Sequence, residues 1–289
     1  MKKIFIVFTL SLFISSIYGQ ADTVVKSSKP VRFTFATTTL IDNQTTESLY
    51  KGGLELQIQH RFSLIEDIHD LYGIYGSANT RLGLSYGITD KLMIGFGTTK
   101  DYSLQDLNWK YVILQQTEDN KMPVSLAYYG NIVLEARAPE NFGPADSYKD
   151  MHKLSYFTQL IIARKLSEKV SVQVAPSFSY FNSVPLNEDS TKGYENANFG
   201  ISAGARANLF GSHSLILEYD QLLTKQSTPE ATKPKPNLSL GWEIGTATHS
   251  FQVFVANYSY IINQRNLLYN TNDFTDWKYL VGFNIHVRF

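Results

Sequence analysis

Histidine, serine and carboxylate side chains could carry chemistry in this sequence, and their spacing decides which chemistry is open to them. The 6 histidines are at positions 60, 69, 152, 213, 249 and 286. None belongs to an HxH or HxxxH pair, the spacings that set two imidazoles on one metal ion. Glu218 and Asp220 share one face of a strand about 6–7 Å apart, a separation that glycosidases also use. We expect no metal and no cofactor, and we interpret the two carboxylates as structural.

A serine beside a histidine would be needed for the lipid hydrolysis that outer-membrane phospholipases perform. His60 and Ser63 are the nearest candidates, but residues three apart on a strand face opposite sides. The chain has no cysteine, which excludes thiol nucleophiles and disulfides. We therefore predict no catalytic residue, and a lipid-acting enzyme is the weakest alternative.

The charge balance and the first residues indicate where the protein is located. Lys+Arg and Asp+Glu number 26 each, so the basic surplus that nucleic-acid binding requires is missing. Lys2 and Lys3 precede an uncharged apolar run over residues 4–18, which is too short for a membrane helix and ends at the small Gly19. Residues 1–19 are predicted to be a secretory signal peptide, with an N-terminal anchor helix as the alternative.

Almost every later segment alternates apolar and polar residues with a period of two. Over residues 54–62 and 279–289, large apolar side chains occupy every second position. This alternation is typical of strands that have one apolar face. We count about twelve such strands, with about fourteen as the alternative, each about 9–13 residues long; a tilted membrane strand needs about 9–11.

The connections alternate in length, as in outer-membrane barrels that have short periplasmic turns and long external loops. Tight turns are predicted near residues 89–91, 117–122, 167–169, 211–213 and 246–249. Longer polar loops are predicted near residues 64–79, 100–106, 136–152, 182–195, 224–236 and 262–276. The predicted fold is an all-β, closed, antiparallel up-and-down transmembrane barrel over residues 52–289. Each unpaired backbone group in lipid costs several kcal/mol, so the first and last strands must pair.

The polar face of the strands favours a membrane barrel over a soluble one, whose exterior would be rich in Lys and Glu. Gly, Ser, Asn and Ala are frequent on this face, and such small residues suit a crowded lumen. Ten charged residues share it as candidates to line the lumen: Glu55, Arg61, Arg81, Lys110, Glu135, Arg206, Glu218, Asp220, Glu243 and Arg288. We expect acidic and basic members to pair, because charges shielded from water need partners. A solute-selective constriction is the alternative.

Residues 20–51 precede the first barrel strand and allow three interpretations. They could form a periplasmic tail, an additional strand or a plug that enters the lumen. We favour the tail, because chain termini are commonly loose.

The end of the chain has the pattern of a barrel-assembly signal. Apolar residues alternate up to a terminal aromatic residue through Tyr279, Val281, Gly282, Phe283, Ile285, Val287 and Phe289. This ending resembles the C-terminal signal read by the outer-membrane barrel-assembly machinery. We expect a monomer in the outer membrane whose partners are that machinery, outer-membrane lipid and an unknown small solute.

Two stretches resemble a Gram-negative family of outer-membrane barrels with no assigned function, domain-of-unknown-function family fifty-seven seventy-seven. They are residues 35–63 and 77–98. The family pattern appears here as Gly52-Gly53, His60-Arg61-Phe62 and the run from Ser77 to Arg81. The resemblance extends loosely over residues 31–289 and implies a barrel. It implies no activity.

The expected function follows from this architecture. A lumen of about twelve strands is intermediate in width between filled small barrels and open porins. We expect a small solute to pass through, or bind in, a narrow polar lumen without catalysis. The alternative is a structural or docking barrel with an occluded lumen that serves a periplasmic or surface partner.

Overall fold

Twelve strands and one short helix form the fold. The computed structural model describes residues 28–65, 69, 71, 73–143 and 146–289, so the expected signal peptide lies outside the described residues. The strands are β1 (Leu54–Leu64), β2 (Asn79–Gly87), β3 (Leu92–Thr99), β4 (Leu104–Leu114), β5 (Ser125–Glu135), β6 (Leu154–Lys165), β7 (Val170–Phe181), β8 (Ala197–Phe210), β9 (His213–Leu222), β10 (Asn237–Gly245), β11 (His249–Ala256) and β12 (Leu280–Arg288). The helix is α1 (Asn263–Tyr269).

The strands close into a single antiparallel barrel in which each strand pairs with its neighbours in sequence. The seam joins β1 to β12, with Ile58 opposite Ile285 and Leu56 opposite Val287. Closure satisfies the backbone of both end strands, as hydrocarbon surroundings demand. The predicted twelve-stranded, up-and-down barrel is therefore confirmed.

The apolar face of each strand is exposed and the polar face is buried, which is the reverse of a soluble protein. On β2, Leu82 and Leu84 are 49% and 48% exposed. Arg81 and Ser85, on the other face of the strand, are only 7% and 6% exposed. The same alternation recurs around the barrel, so an apolar belt lies outside and polar side chains fill the interior. This arrangement is that of a membrane barrel. No helix among the described residues is long and apolar enough to cross a membrane.

The connections separate into a short-turn end, which also carries both ends of the barrel chain, and a long-loop end. By the rule for outer-membrane barrels, the short-turn end is periplasmic. Two lengths differ from the sequence prediction. The loop expected at 100–106 is reduced to residues 100–103, because β4 begins at Leu104, and the turn expected at 117–122 extends over 115–124.

The connection between β11 and β12 also differs from prediction. The strand expected to continue to residue 261 ends at Ala256, and the loop that follows contains α1. A helix of 7 residues spans about two turns, too few for a clear 3.6-residue period. The interior contacts of this helix, described below, explain why it forms.

Candidate functional site

The ten charged residues expected in the lumen all point into the barrel. Eight of them are buried, and Arg206 and Arg288 are partly exposed near the short-turn end. Two ion pairs form within the set. Arg288 Nε lies 2.8 Å from a Glu55 carboxylate oxygen, and Arg206 Nε lies 2.7 Å from one of Glu243. The other members find partners that the sequence analysis did not supply.

The first of those partners is the segment before β1. Residues 34–49, called the plug from here on, lie inside the barrel: Phe33 and Tyr50 are 69% and 61% exposed, whereas Thr34 and Leu49 are 2% and 3% exposed. The plug is a hairpin in which Thr45 N donates to the Thr38 carbonyl and Leu40 N to the Asn43 carbonyl. The prediction of a periplasmic tail is therefore wrong for residues 34–49, which form a plug inside the lumen.

The residues just before and just after the plug are fixed at the short-turn end. Val31 N donates to the Gln116 carbonyl in the β4–β5 turn, and Gly52 N donates to the Gly87 carbonyl at the end of β2. The hairpin thus enters and leaves the lumen through the same opening. The general looseness of termini fails here, because lumen side chains with unsatisfied hydrogen bonds supply partners for this polar segment.

The tip of the plug is held by one carboxylate on the barrel wall. The amides of Ile41, Asp42 and Asn43 donate to the two Glu218 carboxylate oxygens over 2.9–3.0 Å. Asn43 Nδ2 also donates to Asp220 Oδ1 at 2.6 Å. The Glu218–Asp220 pair is thus a docking point for backbone and amide groups, which is compatible with its structural interpretation.

An ion pair with β1 fixes the same tip from another part of the wall. Arg61 Nη2 lies 2.6 Å from Asp42 Oδ1, and both side chains are 1% exposed or less. Burial raises the pKa of the Asp42 carboxyl, and the charge and hydrogen bond of Arg61 act against that rise. Such a pair is costly to break by removing one member, because the other is left buried without compensation.

Lys110 binds the two arms of the plug hairpin together. Its Nζ donates to the Thr38 carbonyl at 2.7 Å and to the Thr45 carbonyl at 3.1 Å. Apolar plug residues add a contact with the inward-facing Phe254: Phe35, Leu40 and Ile41 belong to one buried cluster with it. Polar contacts therefore surround a small apolar centre.

The helix α1 closes the lumen from the long-loop end. Asn266 Nδ2 donates to Asp42 Oδ2 at 3.3 Å, and Asn263 Nδ2 donates to the Asp42 carbonyl at 3.1 Å. Arg265 forms an ion pair with Glu135 on β5. The plug and α1 therefore meet inside the barrel at Asp42.

Charged residues of the interior that the sequence analysis missed include Asp106, Asp42 and Arg265. Asp106 forms an ion pair with Arg81 at 2.7 Å. It lies on the same face of β4 as Asn108 and Lys110, but it was assigned to the preceding loop because the strand was expected to begin at residue 107. Asp42 was assigned to a tail and Arg265 to a loop. The phase of β4 could have revealed Asp106; no comparable signal marked Asp42 or Arg265.

Little open space remains between the plug and the wall. A cavity of about 20 Å³, measured as room for the centre of a water molecule, lies beside Asp42, Arg81 and Asp106. A volume of this size holds about one water. The lumen is closed in this conformation.

The residues considered for catalysis are not assembled into a nucleophile and base. The His60 ring stacks on Phe283 on the apolar outer face, and Ser63 donates to the Gly73 carbonyl. Residues 83–87 read G-x-S-x-G, yet Ser85 lies within strand β2 and not on the strand-to-helix turn that makes this motif a nucleophile elbow. Among the described residues, no His, Asp and Glu side chains cluster as metal ligands.

The residues of the expected assembly signal form the closing strand and its end. Val281, Phe283, Ile285 and Val287 alternate on the outer face of β12, and Gly282 faces inward beside the Phe254 ring. Tyr279 precedes the strand, and its hydroxyl donates to the Phe274 carbonyl. Phe289 follows the strand and is 67% exposed. Recognition by the assembly machinery stays a prediction.

Comparison with known proteins identifies the family. A family model described as a membrane bound beta barrel domain (DUF5777) matches residues 35–289. The chain belongs to this family. The match includes nearly the whole plug, so plug and barrel fall within one family domain. The family is uncharacterised, and its description as membrane-bound agrees with the outward apolar belt. None of the curated proteins compared with the chain matches it.

Solved structures show the same architecture at low identity. The NanC porin has a TM-score of 0.52 at 8% identity, over 82% of this chain and 98% of that chain. An outer membrane channel from Pseudomonas putida F1 has a TM-score of 0.48 at 13% identity, over 84% and 98%. The KdgM porin has a TM-score of 0.46 at 8% identity, over 82% and 98%. At these identities the likeness to the NanC porin shows the fold alone, a closed β-barrel.

Proposed function

We propose that this barrel is a gated conduit for a small polar solute, closed in the conformation described and opened by withdrawal of the plug towards the periplasm. The observation that carries the proposal is the path of the plug, which enters and leaves the lumen at the short-turn end. A hairpin with both ends at one opening can leave without threading through the barrel.

The contacts of the plug also support withdrawal. Its tip is held by hydrogen bonds to Glu218 and Asp220 and by the Asp42–Arg61 pair, and its two arms are held by Lys110. Water can replace such partners once the lumen hydrates, since the net contribution of one hydrogen bond is only about 1 kcal/mol. The solute would then follow a wall lined by charges of both signs, which favours a polar solute over strong ion selectivity.

The second candidate is a structural or docking barrel that stays occluded. It is favoured by the closure of the lumen from both ends, with the plug and α1 in contact at Asp42. The enzyme alternative has only the unassembled serines and histidines described above.

Planar-bilayer recordings on the full mature chain separate these functions. The Glu218→Gln variant keeps the size of the side chain but loses the carboxylate that three plug amides share, so we expect its open fraction to rise at least about tenfold. Glu168→Gln is the matched control, because Glu168 is 95% exposed in the β6–β7 turn. No current from folded wild type and folded Glu218→Gln would remove the conduit and favour the docking barrel.

A further inference from the structure

A cavity of about 730 Å³ lies at the long-loop end, above α1. We call it the vestibule. Its walls include Val133, Glu135, Ser155 and Phe181, which lie on the inward phase of their strands, and its floor includes Arg265 and Tyr269 of α1. The vestibule therefore opens towards the outside through the barrel mouth and not towards lipid. Its volume is in the range of small-molecule sites, which are about 300–1,000 Å³.

The charges around the vestibule are unbalanced, unlike those of the lumen. Arg137, Lys153 and Arg265 contribute three positive charges, and Glu135 is the one acidic side chain among the described residues that line it. The net charge of the lining is thus +2 without His152. A concave, partly enclosed surface of one sign attracts the opposite ion.

Arg265 is held in position before any ligand arrives. Its guanidinium stacks over the Tyr102 ring at 4.1 Å and forms an ion pair with Glu135. Arg137 bonds the same carboxylate and stacks over the same ring at 4.5 Å. Arg265 Nε is buried and has no hydrogen-bond partner, which is uncommon for a charged group in a protein interior. Arg265 is thus fixed at the floor of the vestibule before any anion binds.

Aromatic rings lie beside these positively charged side chains. Tyr269 is fixed edge-on by Phe181 at 5.5 Å and by Tyr194 at 5.2 Å. Phe142 lies on the loop opposite, with Lys153 Nζ 5.9 Å from its ring. Pockets that combine aromatic walls with a few charged groups recognise molecules that have both an apolar body and one ionic end.

We propose that the vestibule binds a small ring-bearing carboxylate, with the ring against Phe142 and Tyr269 and the carboxylate on Arg137, Lys153 and Arg265. This inference rests on the proposed function in one respect: it identifies the bound carboxylate as the solute that the conduit takes up. Binding is measured at equilibrium without current, so the site and the conduit can fail separately.

Equilibrium dialysis of the full mature chain in a nonionic detergent tests the proposal with three probes of one scaffold. Indole-3-acetate is the anion, indole-3-acetamide its neutral counterpart and tryptamine the cation. We expect indole-3-acetate to bind at least about tenfold more tightly than the amide, because charge-assisted bonds to arginine are about twice as strong as neutral ones. Tryptamine should bind most weakly of the three.

Two double variants complete the experiment. Arg137→Gln with Lys153→Gln should weaken indole-3-acetate binding about tenfold or more and leave the amide almost unchanged. Lys149→Gln with Lys192→Gln is the control for charge, since both lysines are exposed on loops of the same end and do not line the vestibule. Equal binding of acid and amide, an equal loss in the control, or no saturable binding of indole-3-acetate up to about 10 mM would each overturn the proposal.

Discussion

At the scale of single residues, the interior of this barrel is organised by charges that reach across elements. Lys110 on β4 donates to two plug carbonyls, Glu218 on β9 accepts from three plug amides, and Arg61 on β1 binds Asp42. Each is a wall residue whose partner comes from outside the wall. Removing one wall charge should therefore weaken the docking of the plug more than it lowers the stability of the barrel.

The Asp42–Arg61 pair gives a direct test at this scale. The chain has no cysteine, so Leu40→Cys provides a single thiol at the plug tip, where Leu40 is fully buried. In this background Arg61→Gln or Asp42→Asn alone should speed maleimide labelling by a factor of about a hundred to several thousand, because losing one member of a buried pair costs about 3–5 kcal/mol. The double variant should label more slowly than the product of the two effects predicts.

A matched cycle at the surface provides the control. Lys233 and Glu230 form a pair that is more than half exposed on each side, and Lys233→Gln with Glu230→Gln should leave labelling unchanged. Strictly additive effects of the Arg61 and Asp42 substitutions would show that the two side chains do not hold the plug as a pair.

At the scale of elements, the plug and α1 meet at one residue, Asp42. Asn263 and Asn266 reach Asp42 from above, while the hairpin presents Asp42 from below. Because Arg265 and Tyr269 of the same helix line the vestibule, α1 connects the mouth of the barrel to the plug tip. A displacement of α1 would remove hydrogen bonds from Asp42.

The substitution Asn266→Ala measures that connection. It removes one amide-to-carboxylate hydrogen bond, for which about 1–2 kcal/mol is expected, so thiol labelling of Leu40→Cys should rise about fivefold to thirtyfold. Asn141→Ala is a suitable control, because Asn141 bonds only the Ala138 carbonyl within the β5–β6 loop. If both variants labelled at the rate of the parent, α1 and the plug would be independent gates.

The elements differ in how far the sequence predicts them. The strands are predictable because lipid outside and polar groups inside impose a period of two on every strand. The closing pair of β1 with β12 follows from the cost of an open edge in hydrocarbon. The plug and α1 have neither constraint. Thr37, Thr38 and Thr45 read as an ordinary polar linker, and their position depends on lumen groups that include Glu55, Lys110 and Glu243.

The same difference applies to the candidate site. The phase of the strands identifies Glu218 and Arg61 as inward residues, since a strand places alternate side chains on one face. Their partners Asp42 and Asn43 belong to a segment without periodicity and cannot be assigned from pattern alone. The sequence therefore predicts the wall of the site and leaves open what fills it.

At the scale of the whole molecule, the protein is a membrane barrel whose lumen holds the plug hairpin from one side and a folded loop from the other. Its outer belt is apolar, and most of its interior charges have bonded partners within the protein. Function as a conduit depends on whether residues 34–49 leave the lumen.

A reversible tether tests this central claim most directly. A Cβ atom added at Gly204 on β8 would lie 2.9 Å from Leu40 Cδ2, so the double variant Leu40→Cys with Gly204→Cys places two thiols where a disulfide can join plug to wall. Single-channel recordings on this variant should show no openings when it is oxidised and openings after reduction, while Leu40→Cys alone responds to neither treatment. Equal currents in the oxidised and reduced double variant, with the disulfide shown to be formed, would contradict the account.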